Sequence, residues 1–302
     1  MAYHGKHSSP SGEASEYDLP PEEEQTGPVG DGEEEEELSD TRQELVARRV
    51  VEGIAILVCL AMVFLLGRHF LWKGRSTSLN ESLQQKAVSV APVDDPVGLG
   101  KAVTQAGKKS SCPISVDFET LRAENPDIIA WLYLEDTVLN YPILWRMDDN
   151  AYYLTHLASQ EVNEYGSIFA DGRSSFPFHD WNTLVYGHNM KDDTMFGIMD
   201  LYRTQDFYDE HKTMYLLTPE ENFRVDVCCC FAVSVDSAIF EFPCTEKSIE
   251  STIRDITTRS DIRCDVTPSP DDRLISFSTC WDPDDYRLVV VGVLRPLDGE
   301  EK

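Results

Sequence analysis

The sequence predicts a mainly β domain, an antiparallel barrel or sandwich with a few peripheral helices, preceded by a single transmembrane helix. Segments rich in Val, Ile, Tyr and Trp recur beyond residue 112 and are separated by turn residues. They follow one another too closely for the helical crossovers that parallel strands need, which favours antiparallel pairing. One long apolar run lies upstream of them, in residues 50–66, and predicts the membrane span.

The first 44 residues are predicted to form a disordered acidic tail. Residues 1–40 hold thirteen acidic side chains against the single base Lys6, with Pro, Gly and Ser but almost no aliphatic side chains. The whole chain carries a formal charge of -28. Because a polyanion would be repelled, this charge argues against a nucleic-acid partner.

Residues 45–73 are predicted to cross a membrane. The apolar run contains one charge, Glu52, and its extension to Trp72 gives enough helix for about 30 Å of hydrocarbon. Trp72 then lies where an interfacial aromatic belongs. A buried helix of a soluble domain is the alternative interpretation, which the position between a polar tail and a linker disfavours. Basic residues flank the run equally on both sides, so charge alone does not give its orientation.

Residues 74–111 are predicted to form a linker or stalk, and residues 112–302 the folded domain. A short helix is predicted over residues 117–125, where Pro126 stops it, and a hairpin follows around Glu135 and Asp136. The predicted strands are 128–134, 137–144, 167–170, 183–186, 214–218, 223–235, 274–279 and 287–294. Further helices are predicted over residues 194–202 and 246–258.

Neither disulfides, nor a metal site, nor a cofactor is predicted. Seven of the eight cysteines lie beyond the apolar run, and the consecutive Cys228, Cys229 and Cys230 are expected to act as small buried hydrophobes. No CxxC or HxxxH pair, the usual spacing of zinc ligands, occurs in the folded region.

Cys280 and Arg287 are the first candidates for chemistry. Cys280 ends one predicted strand, a polar loop follows, and Arg287 begins the next strand, so both ends of the loop face one another. Neighbouring strands lie roughly 5 Å apart, which lets both side chains reach one bound carbonyl. A thiolate is favoured by nearby positive charge, and a guanidinium is suited to an oxyanion. A buried, inert cysteine is the alternative.

His188 is the candidate acid and base for such a thiol. It follows the predicted strand in NTLVYGHNM, a position from which a scaffold presents side chains to substrate. The competing histidines are His156, His179 and His211. A papain-like order is excluded because here the histidine comes first and the cysteine last, both on strands.

The sequence resembles the class B sortases over residues 117–294. The matching stretches are DFETLRAENPDIIAWLYL, DDNAYYL, GSIFADGR, NTLVYGHNMKDDTMFG, LISFSTC and YRLVVVGVL. The resemblance implies a closed eight-stranded sortase barrel on a single-pass membrane anchor of a Gram-positive cell. It implies a cytoplasmic N-terminus and an extracellular catalytic domain.

The resemblance also implies the site and the activity. The catalytic set falls on His188, Cys280 and Arg287, and substrate contacts fall on Asn150, Leu154, Tyr186 and Ser278. The implied enzyme is a cysteine transpeptidase that cleaves a C-terminal sorting motif of secreted proteins between Thr and Gly. It would join the acyl group to an amine of the cell wall or of a pilin subunit.

The sequence leaves the substrate preference and the activity open. Trp281 and Pro283 stand in the loop after Cys280 where the family usually has small or polar residues, which leaves the substrate preference open. A catalytically inactive, membrane-tethered protein that binds peptide would share every sequence feature with the enzyme. A hydrolytic cysteine peptidase is a third interpretation.

Overall fold

A computed structural model describes residues 31–90, 112–174, 177–241, 246–281 and 286–297. The chain divides into two compact units, Met1–Phe64 and Leu65–Lys302. The second unit contains every strand that the structure describes.

The first described element is helix α1, Asp31–Ala87. Among the described residues, the segment Arg42–Ala87 is the one helix long and apolar enough to cross a membrane. Part of the predicted acidic tail, residues 31–44, and part of the predicted stalk, residues 74–87, are therefore helical. The remaining tail and most of the remaining stalk lie outside the described residues, and the predicted domain boundaries stay a prediction.

Eight of the strands in the described residues close into a barrel, which confirms the predicted fold class. They are β3 Ile128–Tyr133, β4 Asn140–Trp145, β5 Phe169–Ala170, β6 Asn182–Gly187, β7 Thr213–Leu217, β8 Asn222–Ser234, β9 Leu274–Trp281 and β10 Tyr286–Pro296. Around the barrel the order is β10-β8-β7-β3-β4-β5-β6-β9, with β9 also paired to β10. The neighbours β4 and β5, and β6 and β9, are parallel, whereas the other pairs are antiparallel.

Short elements decorate the barrel. Strands β1 Val88–Val90 and β2 Ile114–Val116 pair outside it, and the helices are α2 Phe118–Glu124, α3 Gln205–Glu210 and α4 Glu246–Arg259. Asp117 caps α2 by accepting a hydrogen bond from the Thr120 amide at 3.1 Å. Three turns of 3-10 helix cover Tyr152–Leu154, Gly197–Arg203 and Ala238–Phe240. The helix predicted over residues 194–202 is thus a 3-10 helix that starts later.

The interior of the barrel is apolar. Alternate residues of the strands, among them Leu132, Val185, Phe277 and Val290, belong to one buried cluster. The cysteine run divides by the same alternation, because Cys230 joins that cluster while Cys229 packs with Ile256 of α4. All three of its cysteines are buried, as predicted.

The C-terminal part of α1 packs on the outside of the barrel. Leu83 is 3% exposed and lies in a cluster with Trp131 and Phe169. Two hydrogen bonds also hold this part of α1, since the side-chain amides of Asn80 and Gln84 donate to the Asn140 carbonyl at 3.2 and 2.8 Å. This part of α1 is therefore an integral part of the folded domain.

Replacement of Leu83 by Ala should destabilise the barrel by about 2–5 kcal/mol, because it leaves a cavity under α1. Urea unfolding of the detergent-solubilised chain, followed by tryptophan fluorescence, measures this loss. Leu71→Ala is the matched control, because Leu71 lies in the same helix and is 70% exposed. Equal losses in both variants would show that α1 does not pack on the barrel.

Candidate active site

Three neighbouring strands bring the predicted catalytic residues to one end of the barrel. Strand β9 lies between β6 and β10, and Cys280 is the direct partner of Arg287 in the antiparallel ladder. On the other side Gly187, the last residue of β6, pairs with Thr279, so His188 leaves its strand beside the end of β9. Positions that are far apart in the chain thus become neighbours in the sheet. The side chain of Cys280 and residues 282–285 lie outside the described residues.

His188 is half-buried and is held by the turn Tyr152–Leu154. Its Nε2 lies 2.8 Å from the carbonyl oxygen of Leu154. Because a carbonyl can only accept a hydrogen bond, Nε2 carries a proton in this arrangement. The nitrogen that can accept a proton in the neutral ring is then Nδ1.

The backbone around His188 is fixed by close packing. A Cβ on Gly187 would lie 2.7 Å from the ring of Phe196, which is fully buried. Phe196 in turn meets Phe277 of β9 edge to face, with ring centroids 5.8 Å apart. The amide of Phe196 also donates to the His188 carbonyl at 3.2 Å. Only glycine at position 187 lets the end of β6, which leads to His188, approach the Phe196 ring so closely.

Arg287 is half-buried on β10. Its Nη1 donates to the carbonyl of Tyr286 at 3.0 Å. A guanidinium stays protonated and carries five N–H donors in a planar fork. This chemistry suits a group that binds an oxygen with developing negative charge.

Two of the four predicted substrate contacts lie beside the predicted catalytic positions. Leu154 is 42% exposed, and its carbonyl holds His188. Ser278 pairs with Tyr186 in the sheet, two residues before Cys280, and is buried. Within the described part of the chain its Oγ has no hydrogen-bond partner, and neither has Thr279 Oγ1.

The other two predicted contacts, Asn150 and Tyr186, both donate to one buried carboxylate. Asn150 Nδ2 lies 2.9 Å from Asp171 Oδ1, and the Tyr186 hydroxyl lies 2.7 Å from Asp171 Oδ2. Arg173 adds an ion pair, with Nη2 2.6 Å from Oδ2. Burial opposes ionisation of Asp171, but the hydrogen bonds from Arg173, Asn150 and Tyr186 outweigh it and lower its pKa to about 2.

Sequence reasoning missed the role of Asp171. It appears in the stretch GSIFADGR only as part of a resemblance. The signal in the sequence was an acidic residue directly after the short apolar run that forms β5. Burial of such a residue requires hydrogen-bonding partners, so it indicates a polar network.

The competing histidines have other surroundings. His156 stacks on Tyr152 with ring centroids 3.9 Å apart, and His211 ends α3 with its ring against Phe207. His179 is exposed and precedes β6, whereas His188 follows it. In the described ranges, no group of three or more His, Cys, Asp or Glu side chains could hold a metal ion.

Replacement of Gly187 by Ala should destabilise the protein by about 1–3 kcal/mol, because the added methyl group displaces the buried Phe196 ring. Urea unfolding measures the change. Gly74→Ala is the control, since nothing lies within 4 Å of a Cβ at this position of α1, and it should stabilise by about 0.5–1 kcal/mol. A Gly187→Ala protein as stable as the wild type would contradict the close approach.

Asp171 should contribute to acid resistance. Its folded-state pKa of about 2 lies below the value of about 3.9 in an unfolded chain. Its contribution to the free energy of unfolding is therefore fully present above the unfolded value and is lost as the pH falls through the folded value, by about 2–3 kcal/mol. The difference in that free energy between wild type and Asp171→Asn should shrink between about pH 6 and about pH 2. A difference independent of pH would contradict the assignment.

Comparisons with known proteins agree with this architecture. No family model matches the chain. The chain is 36% identical over 183 residues to a sortase B of Listeria monocytogenes, covering 59% of this chain and 74% of that protein.

Solved sortase B structures show the same similarity. A complex of Staphylococcus aureus sortase B with a substrate matches with a TM-score of 0.55 and 31% identity, over 59% of this chain and 84% of that one. A sortase B complexed with triglycine matches with a TM-score of 0.56 and 30% identity, over 59% and 85%. This chain belongs to the class B sortases.

Proposed function

We propose that this chain is a cysteine transpeptidase that cleaves a C-terminal sorting motif of secreted proteins between Thr and Gly. It transfers the acyl group to an amine of a cell-wall precursor or a pilin subunit. The observation that carries this proposal is the register of β9, with Cys280 opposite Arg287 and next to the end of the strand that leads to His188.

Acylation begins with attack of the Cys280 thiolate on the Thr carbonyl carbon, which forms a C–S bond and a tetrahedral oxyanion. Residues directly opposite in an antiparallel pair share one face of the sheet, which supports Arg287 as the donor to that oxyanion. Collapse of the intermediate breaks the C–N bond. The departing amine takes a proton from the His188 imidazolium, and a thioester remains.

The second half reverses the proton transfer. His188 accepts a proton from the incoming amine, which attacks the thioester carbonyl and releases the thiolate. Because Nε2 donates to the Leu154 carbonyl, Nδ1 is the nitrogen that exchanges this proton in the described arrangement. The hydrogen bond to Leu154 also fixes the ring plane.

The relatives support both substrates. One solved sortase B holds a substrate and another holds triglycine, a peptide with a free amine. The same site in this chain would take a sorting peptide as acyl donor and an amine as acceptor.

We also propose that α1 anchors the enzyme through membrane lipid as a single span, with the N-terminus cytoplasmic and the catalytic domain extracellular. The length and apolar composition of Arg42–Ala87 support the span. The predicted order of tail, span, stalk and catalytic domain agrees with this placement.

Replacement of Cys280 by Ala should abolish the acyl-enzyme, because the thioester needs this sulfur. The solubilised chain is incubated with a panel of sorting peptides, and the covalent adduct is detected by intact mass. Cys112→Ala is the matched control. Burial raises the pKa of Cys112 to about 11, which keeps it a poor nucleophile, so this variant should retain the adduct.

The products separate the remaining interpretations. Release of an amide upon addition of an acceptor amine shows transpeptidation, whereas release of the free acid alone would indicate a peptidase. Peptide binding without any adduct would indicate an inactive binding protein. An adduct that persists in Cys280→Ala would remove Cys280 from its role.

A further inference from the structure

Buried charge is rare in this barrel. Among the residues whose burial the structure describes, only Asp171 and Asp226 are charged and buried. Asp171 is 0% exposed. A buried carboxylate is costly unless several donors compensate it, and an apolar side chain could fill the same volume at lower cost. The position of Asp171 therefore calls for an explanation beyond packing.

The donors to Asp171 come from separate segments of the chain. Asn150 lies in the loop after β4, Arg173 follows β5, and Tyr186 lies on β6. The amide of Asn150 is fixed at both ends, because its Oδ1 accepts from the Gly172 amide at 2.6 Å. Its Nδ2 must therefore face the carboxylate.

Two of these segments lead to His188 and to the turn that holds it. Tyr186 lies two residues before His188, near the end of β6 that leads to the histidine. Asn150 leads directly into the turn Tyr152–Leu154, whose last carbonyl holds the imidazole. One carboxylate thus connects the strand that leads to the histidine with the turn that orients it.

We propose that Asp171 is a positioning residue for the acyl-donor peptide, because it holds the side chains of Tyr186 and Asn150, two residues that are predicted to contact this peptide. This inference rests on the proposed transpeptidase function. Asp171 is 0% exposed, so it cannot itself touch the reacting atoms of a bound peptide. Its loss should therefore weaken productive binding of the peptide while leaving the nucleophile itself intact.

Asp171→Asn is the direct test, because it keeps the side-chain volume and removes the charge that three segments share. The KM for the sorting peptide should rise about 10- to 100-fold, as expected when contact groups are displaced by about 1 Å. Alkylation of Cys280 by iodoacetamide, quantified by peptide mass, should proceed at the wild-type rate. A general structural defect would instead raise the KM and change the alkylation rate of Cys280 together.

Asp226→Asn is the matched control. Asp226 is the other buried carboxylate and forms an ion pair with Arg224 on β8, with Nε 2.7 Å from Oδ1. This variant should lose stability but keep the wild-type KM. A KM that rises equally in both variants, or in neither, would overturn the inference.

Tyr186→Phe gives a second, milder test that does not depend on the folding of Asp171→Asn. It removes only the hydroxyl that Asp171 holds, and it should raise the KM in the same direction. In the double variant the two effects should not add, because both remove one shared interaction. Additive effects, or a wild-type KM in Tyr186→Phe, would overturn the inference.

The two proposals can fail separately. If the wild type forms no adduct that depends on Cys280, the transpeptidase function and this inference both fall. If the wild type forms that adduct and Asp171→Asn binds peptide as the wild type does, only the role of Asp171 falls.

Discussion

The hydrogen-bonded register of β9 between β6 and β10 is the constraint on which the rest of the structure depends. Side chains alternate along a strand, so a slip of one residue would exchange the two faces and separate Cys280 from Arg287. Ile275 and Phe277 belong to the apolar interior cluster, whereas the buried Ser276 and Ser278 occupy the other face of β9. A slip of one residue would place these hydroxyl groups among apolar side chains, which disfavours it. The site is thus fixed by the same alternation that builds the core.

The loops that complete the site are held less directly. The hydrogen bond from His188 to the Leu154 carbonyl contributes only about 0.5–1.5 kcal/mol by itself, so the turn must be held by other contacts. Asp171 fixes the loop before the turn Tyr152–Leu154 through Asn150.

Contacts with α1 fix the segment after this turn. Asn163, which is fully buried, donates to the Trp72 carbonyl of α1 at 3.0 Å. Lys73 of α1 also pairs with Asp192, in the loop after His188, at 2.5 Å. The C-terminal part of α1 and the candidate site are therefore physically connected.

Much of this arrangement could be predicted from local sequence. Runs of β-branched and aromatic residues indicated the strands, and the short loop between Cys280 and Arg287 predicted their pairing, which the register shows. The parallel pair of β6 and β9 could not be predicted from spacing, because periodicity does not say which strands become neighbours. The Asp171 network escaped for a similar reason, since its partners meet only after the barrel closes. The role of the individual site residues stays a prediction.

The proposed transpeptidation requires the Cys280 sulfur, the His188 imidazole and the Arg287 guanidinium to converge on one carbonyl. A crystal structure of the chain trapped with a sorting peptide that carries a thiol-reactive group in place of the scissile bond tests it most directly. We expect a covalent bond to Cys280, with an Arg287 nitrogen about 3 Å from the oxyanion position and a His188 nitrogen within about 3.5 Å of the leaving-group position. An adduct on another cysteine, or a guanidinium and imidazole that face away from the trapped carbonyl, would contradict it.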